Sequence, residues 1–148
     1  MFPLLLSAQV LKGRAVKITD GDTFTLLVNG NEQLRIRIDG IDAPEKKQDF
    51  GNRAKEYLSE MIWGKELTVT VTKKSDRYRR SVGKVSTPEI PDVGLEMIKV
   101  GLAWQYRDFN HDEAYAEAER LARENKKGLW IYKNPVRPQD FRTEKSNK

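Results

Sequence analysis

The chain has no cysteine and a single histidine, His111. The first absence excludes disulfide frameworks, thiolate metal sites and cysteine nucleophiles. The second excludes a zinc site built from several imidazoles, so a resident metal has to rest on oxygen ligands. His111 sits beside a helix-start signal with no partner in its neighbourhood. No apolar run reaches the length of a membrane span. Charge is what the chain has in quantity. Asp, Glu, Lys and Arg make up 33% of its 148 residues, and Lys+Arg outnumber Asp+Glu by 27 to 22. The net charge of +5 favours polyanionic partners, nucleic acid ahead of membrane surfaces, although an ordinary basic surface would give the same figure. The length suits one domain with a core large enough to need no covalent staples.

Met1 to Ala8 form an apolar run closed by small residues, the pattern at the end of a secretory signal. The run lacks a basic n-region and is shorter than an h-region; the alternative is the first half of an N-terminal strand. The expectation carried forward is a signal remnant over 1–8, a domain over 9–133 and a polar, loosely held tail over 134–148. Export would place the protein in the periplasm or outside the cell.

The first half reads as strands. Val16 and Ile18 alternate with Lys17 and Thr19, and Phe24, Leu26 and Val28 alternate with Thr25 and Leu27. Asn29-Gly30 marks a hairpin turn between two such runs. Leu34, Ile36 and Ile38 alternate strictly with Arg35, Arg37 and Asp39, which puts the arginines and the acid on the face away from the core. Leu67 to Thr72 repeats the pattern, and Ser81 to Ser86 is a fifth strand. Three helices are expected. Ala54, Leu58, Met61 and Ile62 form one stripe, ended by Gly64. Asp92 caps a second helix that buries Val93, Met97 and Val100. Asn110 to Glu113 resembles a capping box for a third, with Ala114, Ala118, Leu121 and Ala122 inward. Five short strands with helices between and after them fit an α+β fold with a small closed barrel better than a sandwich.

Two acidic pairs carry the first chemical signal. Asp20 and Asp22 flank Gly21, which allows a tight turn and close backbone approach. Asp42 and Glu45 flank Ala43-Pro44, where the proline holds Ala43 extended and frees a carbonyl to face a cation. Such a loose set of hard oxygen ligands suits calcium better than magnesium. Either pair alone is better read as turn chemistry. The second signal is basic. Arg37 leads into Asp42, and five of the eight residues in 73–80 are cationic. Arginine offers a planar fork for two phosphate oxygens, and Tyr78 in this run can stack on a base. Alone, the run is better read as a solvated charged turn between two strands. On a strand-like segment Arg79 and Arg80 would point to opposite faces.

Taken in order, Asp20-Gly-Asp22-Thr23, Arg37, Asp42-Ala-Pro-Glu45, Asp76-Arg-Tyr78-Arg-Arg80, Gly101-Leu-Ala103 and Gly128-Leu-Trp130 resemble the staphylococcal nuclease (thermonuclease) family, from about Gly13 to Trp130. The resemblance implies a five-stranded oligonucleotide/oligosaccharide-binding barrel with three α-helices and a calcium-dependent nuclease site. It implies that Asp22, Asp42 and the Ala43 carbonyl ligate Ca2+ and that Asp20 acts through water. It makes Glu45 the group that orients or deprotonates the attacking water, and Arg37 and Arg80 the grip on the scissile phosphate. The implied substrates are DNA and RNA, single strands favoured, cut by a monomer to leave 3′-phosphate ends. Arg77, Tyr78, Arg79, Trp104 and Tyr106, with Phe109, are the expected substrate contacts. Three features depart from the family pattern: Ala43 replaces a threonine, Arg79 replaces the glycine of Tyr-Gly-Arg, and the loop from Lys46 to Phe50 is short. The rival expectation is the same barrel, catalytically silent, used to hold nucleic acid or a protein partner.

Overall fold

The computed structural model describes residues 9–108 and 110–146, so the signal remnant expected over 1–8 and the contact expected of Phe109 lie outside the described residues. Five strands close a barrel in the order β1 (Val10–Asp20), β2 (Thr23–Val28), β3 (Glu32–Ile38), β6 (Ser81–Ser86), β5 (Leu67–Lys73) and back to β1. All neighbours are antiparallel except β3 and β6, whose parallel pairing requires the long crossover between them. A two-residue ladder, β4 (Ile41–Asp42) with β7 (Trp104–Gln105), ties the barrel to the helical part of the chain.

The barrel interior follows from strand alternation: Phe24, Leu26, Ile36, Ile38, Leu67 and Val69 are fully buried. Truncating one of them, Ile36→Ala for example, would cost about 2–5 kcal/mol. In β1 the alternation expected from Val16 and Ile18 breaks. The register shifts between Ala15 and Lys17, so Ala15 and Ile18 turn inward and Val16 is exposed.

Helix α1 (Gly51–Ile62) buries Ala54, Leu58, Met61 and Ile62, the expected stripe. In α2 (Val93–Lys99) the Asp92 carboxylate accepts from the Leu95 N–H at 3.1 Å, capping the helix as the sequence suggests. Ile98 is buried there and Val100 is only half-buried. Helix α3 (Glu113–Glu124) is rotated by one residue from expectation. Asp112, not Asn110, caps it, and Tyr115, Ala118, Glu119 and Ala122 face inward while Ala114 and Leu121 face solvent. The cause is polar: the Tyr115 hydroxyl donates to Asp92 at 2.7 Å, and Glu119 finds donors inside. A short 3₁₀ turn (Gly128–Ile131) places Leu129 and Trp130 against Trp104 and Ala122 in a second small core.

Among the described residues the fold has four α-helices where three were expected. The tail forms α4 (Pro138–Ser146), with proline at its first position, where a missing N–H costs nothing.

Candidate active site

Strand register brings the expected residues to one end of the barrel. Thr23 pairs with Arg37 across β2 and β3, and Arg37 pairs with Val82 across β3 and β6, two residues past Arg80. The β1–β2 turn is built on its acids. The Asp22 N–H donates to Asp20 Oδ1 at 3.1 Å, the local bond that makes aspartate a turn residue. Gly21 is obligatory for contact: a Cβ there would stand 2.7 Å from the Ala54 Cβ and 2.8 Å from the Ala43 Cβ. This draws the Asp42–Ala43 loop onto the turn, and the Ala43 N–H donates to Asp22 Oδ2 at 2.8 Å.

Arg37 stands between the two loops. Its Nη1 donates to the Ile38 carbonyl at 2.8 Å. Its Nη2 lies 3.6 Å from both Asp22 Oδ2 and Asp42 Oδ1, which is Coulombic range but beyond a good hydrogen bond. The Arg37 guanidinium thus pairs with two acids and acts on Asp20 by charge alone, while Arg142 adds a further pull on Asp42. Burial and then the charge of Asp22 push the Asp42 carboxyl up to about 6 against the pull of Arg37. Burial and the neighbouring Asp22 likewise raise Asp20. Asp22 moves the other way: burial opposes its charge, but Arg37, Asp20, Ala43 and Thr23 outweigh it and hold the carboxyl low.

Arg80 is delivered by a turn, not by the strand-like segment expected. Asp76 closes that turn: Oδ1 accepts the N–H groups of Tyr78 and Arg80, each at 2.9 Å, and Oδ2 accepts Arg80 Nε at 2.8 Å. Burial opposes the Asp76 charge, and these bonds from Arg80 and Tyr78 outweigh it to hold the carboxyl below its ordinary range. Arg79 takes φ +61°, so the residue in the usual glycine position adopts the left-handed backbone that glycine favours. Arg79 is exposed while Arg80 is half-buried, so the two still separate, by turn geometry and not by alternation. Arg80 Nη1 reaches Thr23 Oγ1 at 3.4 Å, and that hydroxyl donates to Asp22 Oδ1 at 3.0 Å. Thr23 is therefore a bridge between the arginine and the acids, as Asp76 is the support of Arg80; both stand in the sequence motifs, but neither residue type signals that task.

Glu45 follows Pro44 at the start of a tight turn. Its N–H donates to Gln48 Oε1 at 3.0 Å, and its carboxylate accepts from Arg142 of α4 through Oε1. Nothing in the sequence signalled Arg142, because a residue so distant is placed only by the docking of α4.

The expected substrate contacts divide. Tyr78 is 53% exposed, with the Arg77 and Arg80 guanidinium groups 4.8 and 5.2 Å from its ring centre. Arg77 and Arg79 are exposed beside it. Tyr106 lies with its ring centre 6.0 Å from the Arg37 guanidinium, within the site. Trp104 does not reach the surface. It is 1% exposed and packs edge-on against Trp130 at 5.9 Å, so it is a core residue and not a platform for a base.

Among the described residues no group of three or more acidic or histidine side chains is gathered closely enough to hold a metal ion unaided. The donors at hand are the Asp22 and Asp42 carboxylates beside the Ala43 backbone, with Asp20 behind them. Their chemistry fits a hard cation that keeps part of its water shell. Among the described residues no helix is long and apolar enough to cross a membrane.

Residues 35–132 match the staphylococcal nuclease homologue family, and the match stops short of Arg142. The chain is 40% identical over 129 residues to an uncharacterized endonuclease of Haemophilus influenzae, covering 87% of this chain and 71% of that protein. It is 36% identical over 146 residues to a micrococcal nuclease of Shigella flexneri, covering 92% and 83%. A probable staphylococcal-like nuclease of rice, Oryza sativa, is 39% identical over 116 residues, which is 78% of this chain and 34% of that longer protein. With barrel, arginines and acids in place and these likenesses beside them, the chain belongs to the staphylococcal nuclease homologue family.

Proposed function

We propose that the protein is a calcium-dependent, sugar-nonspecific endonuclease that hydrolyses DNA and RNA, single strands in preference, and leaves 3′-phosphate ends. The observation that carries the reading is the placement of Arg37 Nη2 at 3.6 Å from both Asp22 and Asp42, with Arg80 joined to the same acids through Thr23. Hard-cation ligands and phosphate-gripping forks in one place suit attack on a phosphodiester better than any other common reaction. In this reading Asp22, Asp42 and the Ala43 carbonyl hold Ca2+, with Asp20 acting through water. When bound, the ion offsets phosphate charge and eases the generation of a nucleophile from water. Arg37 and Arg80 bind the scissile phosphate through their planar forks and meet the charge that grows on it. Glu45 orients the attacking water and takes its proton, while the bond from phosphorus to the 5′ oxygen breaks and that oxygen leaves with a proton from solvent. Tyr78 and Tyr106 receive bases, and Arg77 and Arg79 follow the backbone.

The names of the relatives, endonuclease and micrococcal nuclease, support the same substrate class. The protein is proposed to act as a monomer after export; finding Met1 to Ala8 intact in a cytoplasmic fraction would reject the export.

The test is incubation with labelled single-stranded DNA and RNA, with calcium or with chelator, followed by end-group analysis. Calcium yields 3′-phosphate ends and chelator yields no cleavage. Undiminished cleavage in chelator, or 5′-phosphate ends, overturns the reading. Glu45→Gln lowers turnover by about 10²–10⁴ and leaves binding of a nucleoside diphosphate nearly intact; unchanged turnover removes Glu45 from the chemistry.

A further inference from the structure

The segment that follows the 3₁₀ turn runs back along the loop that carries Glu45. The Tyr132 ring meets Phe50 edge-on at 6.1 Å, and its hydroxyl lies 3.4 Å from Asp49 Oδ2. Farther on, the Val136 carbonyl accepts from Gln48 Nε2. Within α4, Arg142 Nη1 donates to Glu45 Oε1. As the outer segment advances from Tyr132 to Arg142, its partner retreats from Phe50 to Glu45, so the segment is an antiparallel strap over the loop. Gln48 joins the two layers, because its Oε1 accepts the Glu45 N–H at 3.0 Å while its Nε2 reaches Val136. The strap thus holds both the backbone and the side chain of Glu45.

The two oxygens of Glu45 are treated differently. Oε1 is taken by Arg142, while among the described residues no hydrogen bond reaches Oε2. A carboxylate that takes a proton from water needs a fixed orientation and one open oxygen, and here it has both. A latch that blocked the base would instead fork across both oxygens, which an arginine can do. Stability does not account for the pair. The side chains are 59% and 29% exposed, and a bond of this kind contributes only about 0–1 kcal/mol.

We infer that Arg142 is a positioning residue: braced by the strap from Tyr132 to α4, it holds the Glu45 side chain so that Oε2 faces the attacking water. The inference rests on the nuclease reading above. Its test combines two measurements on the full chain. Steady-state cleavage of single-stranded DNA under saturating calcium compares Arg142→Ala, Arg142→Lys and Glu144→Ala. Amide hydrogen exchange, without calcium or DNA, follows Gln48 and Gly51, whose N–H groups donate to the Glu45 and Gln48 carbonyls at 2.9 Å.

Arg142→Ala is expected to lower kcat by about 10- to 100-fold, the scale of a misplaced reacting group, with KM within about twofold. Arg142→Lys recovers most of the loss, because the bond uses one nitrogen. Glu144→Ala, on an exposed side of α4, changes neither constant. Exchange at Gln48 and Gly51 quickens in Arg142→Ala alone. An unchanged kcat overturns the inference whatever the exchange shows. A raised kcat overturns it in favour of an inhibitory latch, and a raised KM with unchanged kcat in favour of a substrate contact. Failure of Arg142→Lys to recover activity overturns it in favour of a structural role for α4. A wild-type chain that cuts no nucleic acid defeats the nuclease reading instead, and unchanged exchange in Arg142→Ala then defeats the strap as well.

Discussion

Glu119 and Asp22 are both buried acids, 1% and 6% exposed, and their surroundings differ in kind. The Glu119 carboxylate accepts the Gln105 N–H at 3.0 Å, Arg107 at 3.0 Å and Arg123 at 3.1 Å. Its charge is more than matched and both oxygens are occupied. Asp22 has close hydrogen bonds of its own, but it shares one arginine with Asp20 and Asp42, and that arginine stands 3.6 Å from two of the three. A buried charge with all its partners belongs to the architecture, because nothing further needs to bind. A group of acids with too few cations is stable only as far as an outside ion or a change of protonation relieves it.

If that contrast holds, arginines at the two places do different work. Arg80→Ala should lower kcat by about 10³–10⁵ under saturating calcium, the scale of a transition-state arginine. Arg80→Lys should recover little, because the fork is lost. Arg79→Ala should weaken nucleic-acid binding slightly, with a salt slope change near ~1 at most. Arg123→Ala, at the satisfied cluster, should leave kcat within about twofold. Equal losses at Arg79 and Arg80 in steady-state kinetics would show that the turn aims the wrong arginine.

The converse effect belongs to Glu119. Glu119→Ala strands the buried Gln105 N–H and leaves a void, which together should cost about 2–4 kcal/mol in urea unfolding. The kcat of the folded fraction should not move. A comparable effect on the same unfolding axis separates the clusters by ligand: calcium at about 100 times its Kd should stabilise the protein by about 2.7 kcal/mol. Asp42→Asn should abolish that gain, and Glu119→Gln should keep it. A calcium-induced shift that survives Asp42→Asn would move the ion elsewhere. Smallest of all, Arg79→Gly should stabilise by about 1 kcal/mol by relieving its left-handed backbone; a loss of stability would mean that the Arg79 side chain contributes more than its strain costs.

The barrel was legible because its strands alternate and its turns carry glycine or asparagine, as at Asn29-Gly30. The acids and arginines of the site were legible as motifs whose order and spacing have a chemical meaning. Three things were hidden, each for a physical reason. The rotation of α3 was hidden because Tyr115 and Glu119 look like surface residues until Asp92, Gln105 and two arginines satisfy them. The burial of Trp104 was hidden because an aromatic beside a tyrosine is equally a platform or a core, and only Trp130 decides. Helix α4 was hidden because a polar tail with prolines has no apolar stripe, and it is placed by single contacts such as Arg142 with Glu45.

The two-residue ladder of β4 and β7 has a consequence for the birth of the molecule. Asp42 pairs with Trp104, and Ile41 with Gln105, whose own N–H is held by Glu119 in α3. Asp42 therefore gains its backbone partner only after the polypeptide has emerged through Trp104, and Gln105 gains its acceptor only after Glu119. During synthesis the amino-terminal half can form its β1–β2–β3 meander with Asp22 and Arg37 in place, yet Arg80 is then unmade or unanchored and Asp42 still lacks Trp104. Non-local closure of this kind comes late. The acids and arginines of the site are therefore fixed together only once the carboxy-terminal third has docked.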